Sequence, residues 1–286
     1  MDEKGIITTG WQTVDGRNYY FSPEASGEHL KGAAVTGWNT IDGATFYMDA
    51  NGRAASGFKN IDGAQYYFDP VNRCEMATGW NTINGFSYYM GTNGVIRTGF
   101  KNIDGSQYYF WPETANGHYK GTMAKNWQTL NGFKYYMGSN GVISTGFRTI
   151  SGKKYYFWPV TANGHYKGTM ATGWPAIDGQ KYYAGTDGVI RTGWQTLNGF
   201  KYYMGSDGAI RTGFKNIDGK QYYFWPATAN GKYRGTMATK WNTINGFRYY
   251  MGSDGAIRTG WQTIDGKRYY FWPDTANGHY KSTLKK

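Results

Sequence analysis

One cysteine, seven prolines and very little leucine set the first limits on this chain. A lone Cys74 permits no internal disulfide, and no Cys or His stands near it at metal-ligand spacing. Neither a disulfide framework nor a cysteine-held metal is therefore expected to organise the fold, and no metal or cofactor is predicted. Nowhere do apolar residues run for the roughly 18 positions a membrane-spanning helix needs, and the opening MDEKGIITTGW has no apolar signal core. The reading is of a soluble chain without membrane insertion. Since GIITTGW enters partway through a repeated phrase, the expectation is a piece of a longer protein whose export signal lies outside it.

What is abundant is glycine, 43 residues, together with 27 tyrosines, 15 phenylalanines and 12 tryptophans. Glycine at that density leaves few places for long helices, and rings must supply most of the buried area, a mixture that strands tolerate better than helices. The net charge of +12 is uneven. Residues 1–75 carry six Lys or Arg against ten Asp or Glu, a net of −4, whereas residues 76–286 carry 25 against nine, a net of +16. A basic later region suits an anionic or phosphate-bearing neighbour, or is simply a solvated face.

Aligned on one aromatic, the chain falls into twelve units that begin near Trp11, Trp38, Phe58, Trp80, Phe100, Trp127, Phe147, Trp174, Trp194, Phe214, Trp241 and Trp261. Their spacings of 27, 20, 22, 20, 27, 20, 27, 20, 20, 27 and 20 alternate imperfectly between short units and long ones with seven added residues. Each unit reads aromatic, polar, Thr or similar, Ile/Leu/Val, Asp-Gly or Asn-Gly, two variable residues, then Tyr-Tyr-Phe or Tyr-Tyr-Met; Ser151-Gly152 is the weaker turn. Asn-Gly or Asp-Gly between short β-rich runs is the strongest local hairpin signal, because both residues accept positive φ. A single hairpin is barely stable, so neighbours must stack. The prediction is an all-β, elongated β-solenoid of stacked hairpins, one repeat domain over 1–286 and a monomer. The connection GSDGAIRTG (252–260) is expected to add a short third strand that pairs with the next hairpin.

With a two-residue turn, Ile244 should oppose Phe247, Thr243 Arg248, Asn242 Tyr249 and Trp241 Tyr250. One face, with Asn242, Ile244, Phe247, Tyr249 and Met251, reads as core. The other, with Trp241, Thr243, Arg248 and Tyr250, alternates rings with polar or cationic groups, a mixture that suits sugars; the competing reading is packing against the adjacent hairpin. The long connections add Trp111, His118, Tyr119, Lys120 and Trp127; Trp158, His165, Tyr166, Lys167 and Trp174; and Trp225, Tyr233, Arg234 and Trp241. Loops inserted in a solenoid often carry its binding surface, so these are the candidate ligand-binding residues, with Arg248 and Tyr250, unless the rings merely cap the bend. No catalytic constellation stands outside the repeats, and no phosphate loop or dinucleotide fingerprint occurs, so enzyme activity is not expected. Basic residues interleave with aromatics as in single-strand nucleic-acid binders, but the acidic first quarter argues against nucleic acid.

The Gly-Trp, the Asp-Gly turn, Tyr-Tyr-Phe and the closing TGW resemble the cell-wall-binding repeats shared by choline-binding modules of Gram-positive surface proteins, glucan-binding domains of glucansucrases and the C-terminal repeats of large clostridial toxins. The resemblance covers nearly the whole chain. It implies a noncatalytic, secreted or bacterial-surface module whose partner is a polysaccharide or oligosaccharide, either a glucan or a cell-wall glycan. In the choline-binding branch it implies sites made by the Gly-Trp ring, a second Trp seven residues later and a Tyr from the next unit. At that seventh position stand Asn18, Thr45, Gln65, Ser87, Gln107, Lys134, Lys154, Lys181, Lys201, Gln221, Arg248 and Arg268. A quaternary ammonium needs aromatic faces, so choline is disfavoured and glycan preferred, with a choline- or phosphate-directed teichoic-acid anchor, a toxin-type receptor-binding domain and a structural spacer as alternatives.

Overall fold

The computed structural model describes residues 7–25, 30–276 and 278–285. Among these every regular element is a β-strand, and the strands pair consecutively into hairpins. Typical pairs are Gly79–Ile83 with Phe86–Met90 and Gly260–Ile264 with Lys267–Phe271. The chain divides into two compact units, residues 1–144 and 145–286, and hairpins stack within each.

Turn chemistry dictates the hairpins. The first turn residue has φ of 50° at Asp15, 51° at Asn84 and 48° at Asp265, and Ser151 adopts 49°. Both turn positions therefore lie in the left-handed region, the geometry whose twist matches the flanking strands. Register follows: Trp241 opposes Tyr250 and Ile244 opposes Phe247. The hairpin at Trp174 is the exception, with strands reduced to Ala176–Ile177 and Gln180–Lys181. Pro175 has no N–H to give the ladder, yet Gly173 and Ala184 still exchange both backbone bonds.

The core is a ladder of single residues. Met48, Met90, Met137, Met204, Met251, Phe68, Phe110, Phe157, Phe224 and Phe271, each the Met or Phe that closes a Tyr-Tyr-Met or Tyr-Tyr-Phe run or, at Met48, a Phe-Tyr-Met run, are fully buried. Burying such a side chain stabilises by about 1.5–3 kcal/mol, which makes these the anchors of each unit. The branched residue before the turn, such as Ile83 or Ile244, packs beside them. Phe247, expected in the core, is instead 37% exposed, packed on one side only by Tyr280, while Ile244 opposite it is buried.

The connections correct a second expectation. The segment after a hairpin pairs with that hairpin and with the preceding one, not the next: the Arg258 N–H donates to Tyr250 O and the Ile257 N–H to Gln221 O, and Arg97 and Ile96 do the same toward Tyr89 and Gln65. An exposed second-strand edge is thereby closed by the chain that leaves it. Long connections do the same job with Met123, whose N–H donates to Ser87 O, and Met237, whose N–H donates to Lys201 O. Their added residues bulge out between Trp111 and Thr122, whose backbones are tied together by the bond from Trp111 N to Thr122 O.

Candidate functional site

Cross-strand pairing puts a leading tryptophan beside a tyrosine of its own hairpin, and at Trp38, Trp80, Trp174, Trp194 and Trp241 stacking adds one from the next, whereas Trp11 meets Phe46. Trp80 lies 5.1 Å from Tyr89 and 4.9 Å from Tyr108; Trp194 lies 5.1 Å from Tyr203 and 4.9 Å from Tyr222; Trp38 lies 5.1 Å from Tyr47 and 4.9 Å from Tyr66. Each nevertheless keeps about two-fifths of its surface exposed: 42% for Trp38 and Trp80, 38% for Trp194. Packing and presentation are thus two sides of one ring. Trp80, Asn81, Thr82, Ser87, Tyr108 and Lys125 line a cavity of about 340 Å³.

The seventh position decides what covers the ring. Arg248 holds its Cζ 4.3 Å from the Trp241 ring centre and Arg268 4.6 Å from Trp261, while the Nζ of Lys154 and of Lys181 lie 4.4 Å and 5.3 Å from Phe147 and Trp174. Opposed residues share a face, so a long cation there is within reach of the ring; these four fold onto it, whereas Lys201 beside Trp194 does not. Beside Trp38 and Trp80 the corresponding Thr45 and Ser87 are uncharged and too short to reach across. Arg248 and Tyr250 both accompany Trp241, with Tyr250 at 5.1 Å.

In the long loops His118 lies flat on Trp111, centroids 4.0 Å apart and planes 6° apart, and His165 repeats this on Trp158. Lys232 takes the histidine's place on Trp225, its Nζ 3.5 Å from the ring centre and donating to Asn242 Oδ1 at 3.2 Å; burial lowers its pKa. A tight turn fixes this closure, with Ala115 and His118 exchanging backbone bonds around Asn116 and Gly117. The exposed Tyr119 instead packs edge-on against Phe86 at 5.2 Å, as Tyr233 does on Phe200 and Tyr280 on Phe247.

The predicted clusters therefore separate. Trp111 and His118 close on each other. Tyr119 and Lys120 join Phe58, Gln65, Asn84, Phe86, Tyr88 and Thr114 around a cavity of about 390 Å³. Trp127 belongs to its own hairpin, opposite Tyr136. In the second loop Trp158, His165 and Trp174 do share a cavity, of about 450 Å³, which neither Tyr166 nor Lys167 lines. The Lys167 and Arg234 N–H groups repeat the bond that Lys120 gives Thr114, to Thr161 and Thr228. Burial first, and the Tyr119 phenol second, raise the pKa of Tyr88; Tyr249 stands likewise beside Tyr280.

Sequence reasoning missed Phe86, Phe200 and Phe247 as surface rings. A signal existed: phenylalanine follows every Asn-Gly hairpin turn and no Asp-Gly hairpin turn, and a loop tyrosine comes 33 residues later, from Phe86 to Tyr119 and from Phe247 to Tyr280.

Comparison with known proteins places these features in a family. The family described as a putative cell wall binding repeat matches residues 9–23, 36–54, 56–70, 98–110, 145–157, 172–190, 192–210 and 212–224, and a choline-binding repeat matches 238–279. Together these matches reach ten of the twelve units. Among solved structures, CbpJ from Streptococcus pneumoniae TIGR4 is 26% identical, with 96% of this chain and 100% of that chain covered and a TM-score of 0.62. Choline binding protein F from Streptococcus pneumoniae, crystallised in the presence of a peptidoglycan analogue (tetrasaccharide-pentapeptide), is also 26% identical, with 98% and 100% covered and a TM-score of 0.61. No curated protein matches the sequence. With hairpins, register and repeat spacing in agreement with these matches, the chain belongs to the choline-binding-type superfamily of cell-wall-binding repeats.

Proposed function

We propose that this protein is a noncatalytic, multivalent module that attaches to a bacterial cell-surface or cell-wall glycan through its half-exposed tryptophans. The observation that carries the reading is the recurrence of one arrangement at Trp38, Trp80 and Trp194: a ring clamped edge-on between two tyrosines with one side open. Such a ring is preset to stack on the C–H face of a pyranose without losing side-chain freedom on binding. Each contact is weak, and engagement of several by one polymer raises avidity by about 10²–10⁴. The noncatalytic reading rests on the described histidines: His118, His165 and His279 each lie flat on a tryptophan and are poorly placed as general bases. The peptidoglycan analogue used with choline binding protein F is in keeping with a wall glycan as partner.

One observation favours a second reading, attachment through choline. Thr45 and Ser87 leave the rings of Trp38 and Trp80 without a covering cation, so an ammonium ligand has access there. Affinity electrophoresis of the intact protein through gels of dextran, soluble starch, mixed-linkage glucan or purified wall polysaccharide, with choline competition, separates the two. Selective retardation by one polysaccharide that choline does not relieve supports the glycan reading. Failure of all polysaccharides, with choline-sensitive binding to whole walls, overturns it in favour of choline.

A further inference from the structure

Beneath Phe86 and Tyr119 lies a pocket of different chemistry. Phe58, Phe86, Tyr88 and Tyr119 wall it, Gln65 and Asn84 supply amides, and Lys120 is its cation. No carboxylate is among the residues that line it. Its volume, about 390 Å³, lies in the range of small-ligand sites.

The rings and the loop cation recur elsewhere, whereas the unpaired amide oxygen belongs to the Phe58 copy. Phe214 lies 5.4 Å from Tyr249, and Phe247 4.8 Å from Tyr280, with Gln221 at the seventh position and the Lys281 N–H bonded to Thr275. Trp174 lies 5.0 Å from Tyr202, and Phe200 5.2 Å from Tyr233, with Lys181 at the seventh position and the Arg234 N–H bonded to Thr228. In each copy the residue that follows the loop tyrosine is basic, held by the threonine six residues before it.

A second observation concerns Gln65. Its amide oxygen is buried and meets no hydrogen-bond donor, and the Oε1 of Gln107, at the same step of another hairpin, is in the same condition. A buried acceptor left unpaired is costly, whereas a ligand hydroxyl would satisfy it after a small turn of the terminal amide, a torsion with a broad well. Rings for C–H faces, an acceptor in want of a hydroxyl and a cation without a counter-ion together specify the occupant.

We infer that the pocket at Phe58, and by their matching rings and loop cations the sites at Trp174 and Phe214, bind an anionic sugar, a pyranose that carries a carboxylate or a phosphate ester. The inference rests on the glycan reading above and names its substrate class. The ring stacks on Phe86 and Tyr119, a hydroxyl meets the Gln65 amide, and the acidic group faces Lys120. A free quaternary ammonium is the wrong occupant, since the same rings would hold it beside a fixed cation.

Titration of the intact protein with glucuronic acid, glucose 6-phosphate, glucose and tetramethylammonium, followed by ligand-observed NMR, tests this. The triple variant Lys120→Gln, Arg234→Gln, Lys281→Gln alters exposed loop side chains and leaves the buried anchors in place. An exposed ion pair predicts a preference for the acidic sugars over glucose of about two- to five-fold, lost at high salt and lost in the variant while glucose affinity persists. Glucuronic acid and glucose 6-phosphate distinguish a carboxylate from a phosphate source. Equal binding of acidic and neutral sugars, a preference that survives in the variant, or tighter binding of tetramethylammonium overturns the inference. If glucose and the wall polysaccharides bind but acidity makes no difference, this inference alone fails; if no sugar or polysaccharide binds, the glycan reading fails with it.

Discussion

Arg248→Gln should open the face of Trp241 to an ammonium ligand. In the native protein the guanidinium carbon rests 4.3 Å from the ring centre, where a quaternary ammonium would sit. Displacing it costs about 0.5–1 kcal/mol at an exposed site. A displaced guanidinium that stays within a few ångströms of the newcomer adds about 1 kcal/mol of repulsion in water. Together these predict that removing the charge tightens tetramethylammonium binding at this ring by about 10- to 30-fold. Labelling with 5-fluorotryptophan, with the Trp241 resonance assigned from a Trp241→Phe variant, reads that one ring in the intact protein. Arg248→Lys should remain closed. The reasoning fails if native and Arg248→Gln proteins give the same dissociation constant at this resonance.

Other predictions concern stability. Lys240 adopts φ of 64°, where the equivalent position of the last hairpin is Gly260 at 69°. Relief of about 1–2 kcal/mol of left-handed strain, less about 0.5–1 kcal/mol for the freedom glycine gains when unfolded, predicts that Lys240→Gly stabilises by up to about 1.5 kcal/mol. Urea denaturation checks it, and a lower midpoint would refute it. Phe110→Ala empties a fully buried position and should cost about 3–5 kcal/mol, against less than about 2 for Phe86→Ala at a ring 41% exposed; equal costs would contradict the anchor assignment. Burial raises the pKa of Tyr88, Tyr109, Tyr202, Tyr223 and Tyr249 above the model-compound value of 10.0. Folding therefore favours their protonated forms, and the stability this contributes is complete below pH 10 and lost as pH rises through the folded values. Phenolate absorbance and circular dichroism should change together above pH 10; full ionisation with the fold intact would refute the coupling.

Much of this architecture was legible because it is local. Asn84-Gly85 and its eleven counterparts determine turn type, turn type determines register, and register assigns Trp241, Arg248 and Tyr250 to one face. What escaped was decided by contacts distant in sequence. The backward pairing of Ile257 with Gln221 depends on which edge the preceding hairpin leaves open, and residue order alone does not say. His118 and Trp111 stand in one loop, but that they close on one another follows from the Ala115 turn, which brings imidazole and indole face to face. Phe247 reads as core because it alternates in phase with Tyr249, yet of the two only Tyr249 is buried.

The backward hydrogen bonds carry a consequence for how such a chain can lengthen. Phe247 finds Tyr280 only across an intervening hairpin, and Leu284 reaches back with its N–H to Arg248 O. A single hairpin copied into the row would leave the tyrosine of its loop facing the wrong partner. Copied two at a time, every such contact is kept, and the sequence has that grain: Trp80, Trp127 and Trp174 are 47 residues apart, as are Trp194 and Trp241. The hairpin is the unit of folding geometry, and the pair is the unit at which these contacts repeat.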